Sequence, residues 1–105
     1  MLLAFSIAPS SPDDSGSYAE AVAAALRIVR DSGLPHDLGS MFTTVEGEWD
    51  EVMAVVKQAV FAVAESSPRV GLVLKADLRS GHDTGQLSAT VERLEQRLAA
   101  GSDGE

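Results

Sequence analysis

The chain has 105 residues, the size of one ordinary folding unit, and at this length about two-thirds of the unfolded surface can be buried in a single core. Sixteen acidic residues against eight basic ones give a formal net charge of −8, a field that repels phosphate backbones and anionic lipid, so neither nucleic acid nor a membrane surface is expected as a partner. Cysteine is absent, which excludes a disulfide framework and a thiolate metal site and fits a cytoplasmic location.

Taken in chain order, Leu2 to Ala8 reads as a strand with Leu3, Phe5 and Ile7 on one face and Leu2, Ala4 and Ser6 on the other. The stretch is short, lacks a basic leader and is interrupted by Ser6, so it is a buried strand and not a secretion signal. Pro9 to Gly16 is turn chemistry. Ser17 with Glu20 forms a capping-box pattern, and Tyr18, Val22, Ala25, Leu26 and Val29 keep helical spacing up to Asp31. Gly33 is expected to close that helix in the left-handed conformation, with Pro35 preventing its resumption.

Residues 36–47 are too few for two further helices and carry β-branched residues around a Gly-Ser break, which predicts short strands over about 36–40 and 42–46. A second helix follows over 48–66, with Val52, Val55, Val56, Ala59, Val60 and Val63 on one stripe and Glu48, Asp50 and Glu51 suited to its N-terminal dipole. Residues 69–77 form the last strand, with Val70, Leu72, Leu74 and Ala76 toward the helices and Gly71, Val73, Lys75 and Asp77 opposite. A third helix carries Leu87, Val91, Leu94 and Leu98 at 3.6-residue spacing, with Asp83 and Gln86 as its capping box. Residues 1–100 thus make one domain and 101–105 a flexible tail.

Strand, helix, strand, strand, helix, strand specifies an α+β fold: a ferredoxin-like βαββαβ sandwich with an additional C-terminal helix. Its sheet order is expected to be fourth, first, third, second. The helices cover one sheet face; the other shows Leu2, Ala4, Thr44 and Val73 with Ser6, Glu46, Lys75 and Asp77, a mixed surface suited to association between copies.

The chemistry-bearing residues are sparse. His36 and His82 occur in no metal-ligand spacing, and there is no nucleophile elbow or glycine-rich phosphate loop, so no metal, no cofactor and no catalytic residue is expected. The segment from Glu46 to Asp50 places three carboxylates and the lone Trp49 at a strand-to-helix junction. Acids at a helix start are ordinary, but an acid ending a strand, Glu46, gains nothing from local propensity. Lys75, Asp77 and Arg79 alternate on one face, where the plain reading is a solvated surface and, under a partner, an ion-paired one.

With these pieces placed, the chain resembles the thiamine-binding-protein-like family of small ferredoxin-like proteins over residues 2–98. The resemblance rests on Met41, Thr43, Glu46 and Gly47 followed by Glu48 to Met53, on Lys75, Asp77 and Arg79 at the end of the last strand, and on Ser15 and Ser17 before Tyr18. It implies a non-catalytic protein that binds thiamine or its hydroxymethylpyrimidine half near an interface of a homo-oligomer, a tetramer built as a dimer of dimers. On that basis the ligand site is expected on the open sheet face, with Glu46 as anchoring acceptor, Thr43 or Thr44 as hydroxyl, Trp49 as a flat wall, and Ser6 and Asp77 nearby. Ser40 and Phe42 depart from the family's Pro and Gly, and a phenylalanine there could fill space that the family leaves open for a ligand. The alternative is a structural or regulatory homo-oligomer with no retained ligand; an enzyme using Glu46 with Lys75 as an acid–base pair is the least favoured reading.

Overall fold

A computed structural model describes residues 1–9, 19–79 and 86–103. The elements are β1 (Leu2–Pro9), α1 (Ala19–Asp31), β2 (His36–Leu38), β3 (Thr43–Glu46), α2 (Trp49–Ala64), β4 (Val70–Asp77) and α3 (Gln86–Asp103). The four strands form one antiparallel sheet in the order β2-β3-β1-β4. This is the expected α+β, ferredoxin-like plan with its extra C-terminal helix, and β1 is central as the topology requires. The Ser17 and Asp83 capping positions lie outside the described residues.

Alternation along β1 explains the core. Met1, Leu3 and Phe5 are buried with Val45 of β3, Val29 of α1 and Val52, Val55 and Val56 of α2. Ala25, Ala59 and Val63 form a smaller cluster against Ile7 and Val70. Each such aliphatic side chain contributes about 1.5–3 kcal/mol on burial. The opposing helix faces are the two stripes written in the sequence, and α1 packs on α2 above the sheet.

Local chemistry sets the element ends. Gly33 takes φ 76°, the left-handed cap that ends α1 without Cβ strain. At the start of α2 the Glu48 amide donates to the Glu51 carboxylate at 3.2 Å and the Glu48 side chain faces the Glu51 amide, a capping box where the sequence suggests only dipole chemistry. The β2–β3 turn closes through Gly39 N–H donating to Phe42 O at 3.0 Å. A Cβ at Gly39 would stand 2.5 Å from that oxygen, so only glycine fits.

Two features differ from expectation. Leu72 and Leu74 do face the helix side, opposite Ile7 and Phe5, yet they remain 39% and 40% exposed. The helices sit over β1 and reach β4 only near Val70, so this edge strand is apolar and accessible on both faces. Secondly, α3 runs to Asp103, three residues into the expected tail. It touches β3 at its start and then leaves the body: Leu87 is half-buried, whereas Val91 and Leu98 are 53% and 72% exposed. The molecule is accordingly elongated, 55 × 31 × 20 Å.

Candidate functional site

The strand register places five of the six expected site residues; the sixth, Trp49, opens α2. Directly paired residues share a sheet face. Glu46 and Asp77 both pair with Leu2, Thr44 pairs with Ala4, and Ser6 pairs with Val73, which puts these four site residues on the face away from α1 and α2. Thr43 pairs with Phe5 and lies on the helix side. Glu46 is three residues from Thr43 along β3, about 10 Å at the rise of an extended chain, so the two cannot contact the same small ring.

The Thr43 end is concave. A cavity of about 240 Å³ is lined by Phe5, Ser6 and Ile7 of β1, Val22, Ala25 and Leu26 of α1, Thr43, and the turn residues Gly39, Ser40 and Met41. Thr43 is 7% exposed and its hydroxyl makes no hydrogen bond to another residue among those described. The arrangement offers an apolar wall, three hydroxyl-bearing residues (Ser6, Ser40 and Thr43) and the flexible thioether of Met41. Such a mixture can hold a flat heteroaromatic ring and orient it by a single hydrogen bond. The Gly-Ser break at 39–40 was the available signal for this site, but a turn motif does not reveal which helix it will face.

Phe42 does not occupy this cavity. Its carbonyl is tied to the Gly39 amide within the turn, its ring is 40% exposed, and its neighbours Ser40 and Met41 supply the lining. The ring therefore lies outside the lining of this cavity.

The Glu46 end is built differently. Glu46 is 2% exposed; its amide donates to Pro35 O at 2.9 Å, and its carboxylate accepts from the Leu87 amide of α3 at 3.2 Å. The start of α3 therefore covers this corner of a face that the sequence suggested was open. A carboxylate at a helix start is favoured by the free amides and the dipole there. Asp77 is exposed on the same face, and Trp49, in the first turn of α2, is half-exposed and lids no core. The imidazole of His36 donates through Nδ1 to Leu34 O at 2.8 Å. No group of metal-ligating side chains converges among the described residues, and no helix among them is long and apolar enough to cross a membrane.

Fold and cavity define a small ferredoxin-like α+β domain with a concave corner between β1, α1 and the β2–β3 turn. The protein-family model described as "Thiamine-binding protein" matches residues 3–95, and the chain belongs to this family. The UPF0045 protein of Mycobacterium bovis is 49% identical over 96 residues, which cover 89% of this chain and 92% of that relative. The UPF0045 protein of Clostridium perfringens is 31% identical over 72 residues, covering 68% and 75%. Among solved structures, a Bacillus cereus domain of unknown function superposes with TM-score 0.71 at 28% identity over 80% of each chain. A Thermotoga maritima protein, assigned provisionally to thiamine biosynthesis or salvage, superposes with TM-score 0.71 at 24% identity over 87% of this chain and 96% of that one.

Proposed function

We propose that this protein is a non-catalytic binder of thiamine or its hydroxymethylpyrimidine moiety, acting as a homo-oligomer. The observation that carries this reading is the cavity beside Thr43, read together with the family. An aminopyrimidine asks for a flat apolar wall, which Phe5 supplies, and for a hydroxyl, which Thr43 supplies. The cationic thiazolium of thiamine suits a chain of net charge −8. Calorimetric titration with thiamine and with hydroxymethylpyrimidine tests it. Thr43→Val keeps the branched shape and removes the hydroxyl, so affinity should fall about tenfold. If wild-type protein takes up neither compound, the binding function is wrong and only the fold stands.

Self-association is supported by β4, an eight-residue edge strand accessible on both faces, and by the apolar stripe of α3, both of which call for a partner. Ser6 borders the cavity and shares its sheet face with Val73, so a second copy seated on that face would adjoin the ligand. A dimer of dimers could use the sheet face and the α3 stripe as its two contacts. Val73→Asp would place an unpaired charge in such an interface and should shift sedimentation at micromolar concentration toward monomer. Wild-type protein that already sediments as a monomer would remove this part of the proposal. The same exposed surfaces favour the second reading, a structural or regulatory homo-oligomer, which the titrations above separate from the first.

A further inference from the structure

We infer that the preferred ligand carries a phosphate, and that Arg27 and Arg30 of α1 receive it. The inference rests on the cavity reading above and extends it. At about 240 Å³ the cavity falls below the roughly 300 Å³ at which sites begin to enclose a whole drug-sized molecule. One ring fits, and the remainder of a longer ligand must leave through the mouth.

A second groove of about 240 Å³, lined by Ala23, Leu26, Arg27, Arg30 and Leu38, lies beside it. The two share Leu26, and Leu38 immediately precedes Gly39 on the cavity rim. A ligand crossing Leu26 therefore passes from the ring cavity into a largely apolar groove that Arg27 and Arg30 edge.

Those groups are available. Arg27 and Arg30 stand three residues apart, hence on one face of α1. Arg27 meets Glu20 only at 4.0 Å with both side chains exposed, a pairing of small energetic consequence. Arg30 has no acidic partner among the described residues. Its place in the last turn suits the helix dipole, but Arg27, a turn earlier, has no such reason. Arg27 and Arg30 are the charged residues that line this groove, in a chain with twice as many acids as bases. Guanidinium is the side chain best matched to phosphate, through paired N–H donors. A ligand that also carries its own cation is not repelled by the overall negative field.

Calorimetry with thiamine and thiamine monophosphate tests this on wild type, on Arg27→Gln/Arg30→Gln and on Arg27→Lys/Arg30→Lys. Wild type should bind the monophosphate about ten- to a hundredfold more tightly than thiamine. That ratio should collapse to about one in the Gln pair and stay intermediate in the Lys pair, which keeps charge without the planar fork. Equal wild-type affinities, or a preference that survives in the Gln pair, would overturn the inference while leaving the cavity reading intact. Failure of thiamine, thiamine monophosphate and hydroxymethylpyrimidine alike to bind wild type would overturn both.

Discussion

Phe5→Ala should lower the free energy of unfolding by about 3–5 kcal/mol, which for a domain of this size corresponds to a fall in Tm of at least about 12 °C. Phe5 is 2% exposed, sits on the central strand between Thr43 and Leu74, and belongs to the main core cluster. Removing its ring opens a void that the flanking valines cannot close, since β-branched side chains have few alternative rotamers. The ring also walls the ligand cavity, so thiamine affinity should fall with stability. Urea titration gives the first quantity and calorimetry below the transition the second. A loss of less than about 1 kcal/mol would mean that the core does not run through this residue.

The second large effect is expected at Glu46. Glu46→Ala removes a buried acceptor from the Leu87 amide and should cost about 1.5–3 kcal/mol, with faster hydrogen exchange at the first amides of α3. Glu46→Gln retains an oxygen that can accept the same hydrogen bond but loses the charge at the helix start, so its cost should be nearer 0.3–1 kcal/mol. Ligand affinity decides between two roles for this carboxylate. If Glu46 holds α3 in place, the Gln variant binds thiamine about as wild type does. If it is the anchoring acceptor on the sheet face, with Thr44 and Asp77 beside it, the Gln variant loses about ten- to a hundredfold while α3 exchange is unchanged.

Most of the fold was legible before any coordinates. The two valine-rich stripes, the period-2 alternation of Leu3, Phe5 and Ile7, and the Gly33 cap are local patterns. Each states which face an element buries, and the connection rules then leave one sheet order. The Gly39–Ser40 break likewise marked a turn, because Gly39 has no room for a side chain beside Phe42 O. Which side chains converge is a different kind of information. Thr43 and Thr44 are neighbours in sequence yet face opposite sides of the sheet, so of the two hydroxyls offered beside Glu46 only that of Thr44 shares its face.

What the amino-acid sequence determined by itself is therefore the element order, the buried faces of β1, α1 and α2, and the family the chain belongs to. Tertiary structure alone decided that Arg27 and Arg30 border the groove beside the cavity, that Phe42 stays outside it, and that Glu46 meets the start of α3 across 41 residues of chain. The physical reason is that periodicity and capping are written within a few residues. A cavity, by contrast, is the space left between elements, and its lining depends on how far each helix reaches across the sheet: far enough to bury Val45, and not far enough to cover Leu72 and Leu74.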